Sequence, residues 1–162
     1  MIKIIVAVDR NGAIGRDNDL LFHIKDDLKN FKKLTSGNVV VMGRNTWESL
    51  PVRPLPNREN IVLTTSGKTY EGAEVLTNFD ELKDYLKSED RDIYIMGGAS
   101  IYNQILDENI ADEAHVTFVN EIVKDADTFI SIEKLKELFP KESYITTFKE
   151  NNINADYIVL SK

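Results

Sequence analysis

The 162-residue sequence contains no cysteine, two histidines and four prolines. Without cysteine the chain has no disulfide, no thiol nucleophile and no thiolate ligand for a metal. His23 and His115 lie far apart in the sequence, and neither belongs to an H-x-x-x-H or Glu-x-x-His pattern. Zinc hydrolases need such clustered ligands, so the sequence argues against that class and predicts no metal site.

Basic charge and long hydrophobic runs are also scarce. Against 27 Asp and Glu stand 20 Lys and Arg, which gives a net charge of −7. Because nucleic-acid affinity depends on basic groups that meet phosphates, we expect no nucleic-acid partner. The N-terminal apolar run Ile2–Val8 is interrupted by Lys3, and it is too short to span a membrane. It also lacks the features of a signal peptide, so we expect a soluble cytoplasmic protein with no membrane partner.

Strand and helix patterns alternate along what we predict to be a single domain, residues 1–162. This alternation predicts a largely parallel sheet, and the β-only ending predicts an antiparallel hairpin at one edge. Predicted strands are Ile2–Val8, Val39–Met42, Ile61–Leu63, Ile93–Met96, Ala114–Val119, Thr128–Ile132, Ser143–Phe148 and Tyr157–Leu160. Predicted helices are Asp26–Leu34, Asn45–Leu50, Phe79–Leu86, Ser100–Leu106 and Glu133–Phe139.

Two features near the N-terminus suggest a ligand site. Asp9–Leu21 reads as a long irregular loop, and such loops are often functional. Asp27 shares a helix face with Phe31, so a carboxylate stands on an otherwise apolar face. Burial there would raise the pKa of Asp27 unless a partner held the charge. The alternative is that Asp26 and Asp27 are solvated charges of the first helical turn.

Two strand ends carry glycine before a helix. Gly43-Arg44 follows one strand, and Gly97-Gly98 follows another. Backbone N–H groups at a helix start favour phosphate, and an arginine guanidinium adds a bidentate donor. Arg53 and Arg58 extend the basic groups around this region. Each segment alone is equally compatible with an ordinary turn and an exposed arginine.

Taken in order, these segments resemble dihydrofolate reductase of the bacterial chromosomal type. The similarity extends over nearly the whole chain. It rests on Ile14-Gly15, on Phe22-His23-Ile24 before the Asp27 helix, on Val41–Ser49, on Arg53–Ile61, on Met96-Gly97-Gly98 with Tyr102, and on Asp125–Phe129. The resemblance implies an α/β fold with a central, mostly parallel eight-stranded sheet, an antiparallel C-terminal edge hairpin and about four flanking helices.

The resemblance also implies an activity and its site. The activity is the NADPH-dependent reduction of dihydrofolate to tetrahydrofolate by hydride transfer, which supports one-carbon metabolism, in a monomer. Asp27 would be the only ionisable side chain in the pterin pocket and would act there with Phe22 and Leu20. Gly97-Gly98 would carry a cis peptide, and the Ala13–Leu20 loop would close over the nicotinamide.

By the same resemblance, two sets of residues would bind the ligands. The substrate set comprises apolar walls, the support of Asp27 and the basic groups for the glutamate tail: Ile5, Ala7, Leu28, Phe31, Leu50, Met96, Thr117, Arg58 for the α-carboxylate, and Arg53 near the tail. The NADPH set comprises Ala7, Ile14, Gly15, Gly43, Arg44, Asn45, Thr46, Leu63, Thr64, Thr65, Gly97, Gly98, Ala99, Ser100, Ile101 and Tyr102.

The chain departs from the family pattern at several positions. Leu21-Phe22 stands where Pro-Trp is usual, and phenylalanine cannot donate the hydrogen bond of an indole N–H. Lys25 replaces a frequent proline, Asn57 stands where glycine is common, and Ala99-Ser100 varies a glycine-rich segment.

Two other functions stay open. One is a reductase of the same fold that acts on another pterin or pyrimidine, although such a substrate would not need Arg58. The other is a catalytically silent nucleotide-binding protein. Loss of NADPH absorbance with and without dihydrofolate separates these functions from the first.

Overall fold

Two β-sheets account for all strands in the computed structural model, which describes residues 1–17 and 19–162. Numbered along the chain, the strands are β1 (Ile2–Val8), β2 (Ala13–Arg16), β3 (Asp19–Leu20), β4 (Val39–Gly43), β5 (Glu59–Leu63), β6 (Ala73–Leu76), β7 (Ile93–Ile95), β8 (Glu113–Val119), β9 (Thr128–Phe129), β10 (Lys141–Glu150) and β11 (Ile153–Ser161).

The larger sheet has eight strands in the order β10-β11-β8-β1-β7-β4-β5-β6. The pairs from β8 through β6 are parallel, whereas β11 runs antiparallel to both β8 and β10. The expected mostly parallel sheet with an antiparallel C-terminal hairpin is therefore confirmed. Central strands such as β4 are buried along nearly their whole length, because helices and loops cover both faces.

The described residues form five helices, where about four were expected. They are α1 (Lys25–Thr35), α2 (Arg44–Ser49), α3 (Phe79–Ser88), α4 (Ala99–Asp107) and α5 (Ile132–Leu138). Side chains cap two of them: Asn78 accepts a hydrogen bond from the Glu81 N–H, and Ser131 accepts one from the Lys134 N–H. The Ser131 cap ends the extended segment early, so β9 stops at Phe129 rather than at the predicted Ile132.

The apolar core has two main parts on opposite faces of the large sheet. One part gathers Ile4, Val41 and Ile95 from central strands with Leu82, Ile105 and Leu135 from α3, α4 and α5. The other packs Val40, Met42, Val62 and Tyr94 against the single tryptophan, Trp47, of α2. The helices thus fix where the strand ends emerge, and the ligand cavity forms at those ends.

The loop predicted over Asp9–Leu21 contains the short strands β2 and β3. With β9 they form a second sheet of order β3-β2-β9. Asn18 of this loop lies outside the described residues. Because a period-two pattern is hard to detect in strands of two to four residues, β2 and β3 could not be predicted from the sequence.

A buried carboxylate ties the start of this loop to the segment before β9. Asp9 accepts hydrogen bonds from the backbone N–H groups of Asn11 (2.8 Å), Ala13 (2.9 Å) and Val123 (2.9 Å). Its side chain is fully buried. Further along, Asp127 accepts a bond of 2.9 Å from the Asp17 N–H. The two segments are therefore held together at both points.

Gly12 lies between Asn11 and Ala13, the two residues of this loop that donate to Asp9, and its conformation leads to a stability prediction. Its φ is +82°, and an added Cβ would collide with the carbonyl oxygen of Ile130. We predict that Gly12→Ala lowers the free energy of unfolding by about 3 kcal/mol or more, because strain and collision combine. The measurement is urea unfolding followed by circular dichroism.

Gly37 provides the matched control. Its φ is +78°, but an added Cβ would meet nothing within 4 Å. Gly37→Ala should cost only about 1 kcal/mol, the penalty of the left-handed backbone alone. Equal losses in the two variants would contradict the role of the Ile130 contact.

Candidate active site

A cavity of about 1030 Å³ opens at the carboxyl ends of the central strands. Every residue predicted for the site lines it except Arg53. Arg53 is exposed on the loop after α2, beside the cis Arg53–Pro54 peptide. That loop turns Leu55 toward the cavity and the Trp47 side of the core instead. Arg53 therefore lies outside the cavity lining, and its place near the substrate tail stays a prediction.

Asp27 lies in the first turn of α1 and faces the cavity. Its Oδ1 accepts a hydrogen bond of 2.7 Å from the hydroxyl of Thr117, which is buried on β8. Burial raises the pKa of Asp27, and the Thr117 hydrogen bond opposes that rise. The alternative that Asp27 is a solvated charge is thereby excluded. Oδ2 and one lone pair of Oδ1 stay available to a ligand.

Apolar side chains surround this carboxylate. Ile5 of β1, Met96 after β7, and Leu28 and Phe31 of α1 line the same cavity. Leu28 is 42% exposed, although it is apolar. Exposed apolar surface at a cavity mouth is typical of a ligand-binding site. The arrangement suits a flat ring whose polar edge meets Asp27.

Arg58 is held in place at the outer end of the cavity. Its Nε donates to the Pro56 carbonyl (2.9 Å), and its Nη1 donates to the hydroxyl of the fully buried Thr35 (3.1 Å). The guanidinium lies 5.9 Å from the centre of the Phe31 ring. Among the described residues Arg58 has no carboxylate within salt-bridge distance, so the remaining donors suit an anionic ligand group.

The two glycine turns that follow β4 and β7 lie next to each other in another part of the cavity. The Gly43 N–H donates to the Gly97 carbonyl (2.8 Å), and α2 and α4 begin directly after these turns. The Gly97–Gly98 peptide is cis, as the resemblance implied. An added Cβ on Gly97, whose φ is +116°, would lie 3.3 Å from the Tyr102 ring. The glycines therefore let backbone, rather than side chains, form this wall.

Hydroxyl groups continue the same half of the cavity. Thr46 lies in α2, and Thr64 and Thr65 follow β5. The Thr64 hydroxyl donates to Ser66 Oγ (3.1 Å), and Arg44 is exposed at the rim. Helix starts, hydroxyls and one guanidinium form a donor-rich surface of the kind that binds phosphates and ribose.

Phe22 and Leu20 both line the cavity. Phe22 packs with Ile24, Val119 and Ala155 and reaches the cavity, whereas Leu20 of β3 is 53% exposed. Asn57, on the nearby loop, has a φ of +61°, a conformation that asparagine tolerates better than most residues. This explains how asparagine occupies a position where glycine is common.

Several cavity residues escaped the sequence analysis. Ser66, Thr77, Asn78 and Phe79 also line the cavity. Two further ionisable groups line the cavity: His115, on the same strand as Thr117, and Tyr157, on the neighbouring strand β11. Lone polar residues on buried strands carry no motif, so only the register of β8 and β11 reveals them.

Comparisons with known proteins decide the family. The family profile described as dihydrofolate reductase matches residues 1–162. The chain belongs to the dihydrofolate reductase family. Over 121 residues it is 40% identical to a dihydrofolate reductase of Bacillus subtilis, covering 74% of this chain and 70% of that one. Over 134 residues it is 39% identical to that of Neisseria gonorrhoeae, covering 82% and 81%.

A solved structure shares the fold of this dihydrofolate reductase family member. It is the dihydrofolate reductase from Enterococcus faecalis complexed with NADP(H) and RAB-propyl, at a TM-score of 0.83 and 29% identity, covering 99% of this chain and 95% of that one. The chain spans about a third of the bifunctional dihydrofolate reductase-thymidylate synthase of Paramecium tetraurelia, to which it is 31% identical over 155 residues. Within the described residues, no helix is long and apolar enough to cross a membrane.

The buried carboxylate leads to a stability prediction. Because burial raises the folded-state pKa of Asp27, its stabilising contribution is present below the unfolded-state pKa and is lost as pH rises through the folded-state value. Asp27→Asn cannot ionise, and its Oδ1 can still accept from Thr117. We predict that this variant has a higher free energy of unfolding than wild type at pH 7, and that the gain disappears toward roughly pH 3.

Asp156 on the edge hairpin is the matched control. It accepts a hydrogen bond of 2.6 Å from the Thr147 hydroxyl, and both residues of this pair lie outside the cavity. Asp156→Asn should give no gain in stability at pH 7 in parallel thermal unfolding. A destabilised Asp27→Asn at pH 7 would contradict the desolvation argument.

Proposed function

We propose that the protein reduces 7,8-dihydrofolate to 5,6,7,8-tetrahydrofolate, with NADPH as the hydride donor. The observation that carries the proposal is the partly buried Asp27 carboxylate, which Thr117 holds in an apolar wall of the cavity whose other half is donor-rich. Membership of the dihydrofolate reductase family supports the same reaction. We also propose that the protein acts as a monomer in the cytoplasm.

The cavity suits both ligands. Asp27 offers two oxygens to the adjacent amino and ring N–H groups of a pterin, and Arg58 offers its free donors to the α-carboxylate of a glutamate tail. The starts of α2 and α4, with Thr46, Thr64 and Arg44, suit the phosphates and ribose of a dinucleotide. Since the net charge is −7, these local donors have to attract two anionic ligands against the overall field.

The cofactor supplies the hydride, and the residues of the chain align and bias the reaction. Ile5, Phe31, Leu50 and Met96 orient the pterin ring against the reacting half of the cavity. Phe22 and Leu20 exclude bulk water from the junction. Asp27 binds the far edge of the ring, so the proton reaches the reduced nitrogen through water, and the negative charge of Asp27 favours the protonated ring.

The direct test is NADPH oxidation, followed by the loss of nicotinamide absorbance with and without dihydrofolate. Wild type should consume NADPH only when dihydrofolate is present. Asp27→Asn should lose at least about 100-fold in turnover at pH 7, within the usual range for removal of an electrostatic catalytic group, while the Kd of NADPH stays unchanged. Tight NADPH binding by wild type without turnover would contradict the proposal and favour a silent nucleotide-binding protein.

Thr117 gives a pH-dependent prediction. Its hydroxyl lowers the pKa of Asp27 against the effect of burial, so Thr117→Val should raise that pKa further. Because binding needs the ionised carboxylate, the acid limb of the kcat/KM profile should move to higher pH. The profile is measured with dihydrofolate as the varied substrate.

The control is again the pair on the edge hairpin. Thr147→Val removes a hydroxyl that also donates to an aspartate, but at a site outside the cavity. Its kcat/KM profile should coincide with that of wild type. A Thr117→Val profile that does not move would show that the hydroxyl has no influence on Asp27.

A further inference from the structure

Polar side chains extend beyond Thr117 along one face of the large sheet. Glu113, His115 and Thr117 alternate along β8, so they point to the same face. On β11, Tyr157 is the direct register partner of Thr117. Side chains opposite each other on antiparallel strands have Cβ atoms about 5 Å apart. Tyr157 and His115 both line the cavity that contains Asp27.

These side chains form a continuous hydrogen-bonded chain. The Tyr157 hydroxyl lies 2.7 Å from Nδ1 of His115, and Nε2 of His115 lies 2.8 Å from Oε1 of Glu113. Nζ of Lys3 lies 3.4 Å from the same Glu113 oxygen and 3.2 Å from Asp92. His115 is 6% exposed, so water competes little with these bonds.

The charges at one end of the chain fix its direction. A carboxylate next to the Lys3 ammonium only accepts, so Glu113 requires a hydrogen on Nε2 of His115. Burial lowers the pKa of His115, although Glu113 opposes this, so the ring is neutral at pH 7. A neutral ring with a hydrogen on Nε2 has a bare Nδ1. The Tyr157 hydroxyl therefore donates to His115.

The state of Tyr157 agrees with this direction. Burial raises the pKa of Tyr157, so the hydroxyl keeps its proton at neutral pH. Tyr157 thus has its proton committed to His115. The lone pairs of its oxygen make it an acceptor on the side of the cavity.

Given the proposed function, we propose that His115 is a positioning residue that fixes the hydrogen-bond polarity of the cavity wall. With Glu113 it directs the Tyr157 proton away from the ligand, so this wall accepts hydrogen bonds from the N–H-bearing pyrimidine edge of the pterin. A ligand that presents a carbonyl group there meets a second acceptor and is disfavoured. The chain therefore contributes to substrate specificity without contact between His115 and the reacting atoms.

Glu113→Gln should reverse the donor–acceptor direction of the hydrogen bonds from residue 113 to Tyr157 while keeping the shape of the side chain. Lys3 attracts the amide oxygen, which turns the amide NH₂ toward Nε2 of His115. The hydrogen then moves to Nδ1, and the Tyr157 proton turns toward the cavity. Nitrogen-15 NMR of the imidazole ring in the full chain should show the Nε2–H tautomer in wild type and the Nδ1–H tautomer in Glu113→Gln. His115→Gln assigns the signal, since the chain has two histidines.

Binding provides the second measurement. The Kd of dihydrofolate should rise about five-fold in Glu113→Gln and in Tyr157→Phe, the loss expected for one hydrogen bond. KM should rise similarly while kcat changes less, and the Kd of NADPH should stay constant, which also verifies folding. Glu74→Gln, on the exposed side of β6 and outside the cavity lining, is the matched control and should equal wild type.

Two results would overturn the inference. One is an Nδ1–H tautomer in wild type, which needs no substrate to detect. The other is a dihydrofolate Kd that is unchanged in both Glu113→Gln and Tyr157→Phe while wild type reduces dihydrofolate. Failure of wild type to bind or reduce dihydrofolate would instead contradict the proposed function, so the two failures are distinguishable.

Discussion

The desolvation of the Asp27 carboxylate is the constraint around which the cavity is built. A charge among Ile5, Phe31 and Met96 is costly, and within the described chain the Thr117 hydroxyl is its hydrogen-bond partner. The packing of the large sheet and α1 compensates for this cost. A ligand that brings paired N–H donors relieves this cost, so affinity and ionisation are linked at one residue.

The fold places a hydrogen-bond acceptor and a set of hydrogen-bond donors at neighbouring strand ends. On one side β8 and α1 present Thr117 and Asp27. On the other side β4 and β7 end in glycine turns, where α2 and α4 expose their first N–H groups. A parallel sheet brings all these ends to one edge, so acceptor and donor surfaces meet in a single cavity. The strand order therefore sets how the acceptor surface and the donor surface are placed relative to each other in the cavity.

Much of this arrangement could be predicted from the sequence. The buried strands β1 and β4 and the helix around Asp27 have strong periodicity, and the glycine turns follow visible strand ends. The short strands β2 and β6 were missed because so few residues show no period. The exposed position of Arg53 outside the cavity lining could not be predicted, because the path of the loop through Pro54 and Leu55 depends on tertiary packing, which local composition does not report.

The polar chain through His115 illustrates a different limit. Glu113, His115 and Tyr157 are ordinary residues of two strands that are some 40 positions apart, and their meaning depends on register. A shift of one residue in β11 would turn Tyr157 to the other face. Sequence patterns identify strands but not their pairing. Chemistry that depends on pairing is therefore visible only in the folded molecule.

The buried carboxylate of Asp9 has a consequence for how this family member can change over generations. Its three backbone partners belong to two segments more than 100 positions apart, and Asp127 adds a second link between them. An insertion in either segment would break bonds in the other. The lengths of the two loops are thus coupled, and a longer version of one is tolerated only with a compensating change in the other.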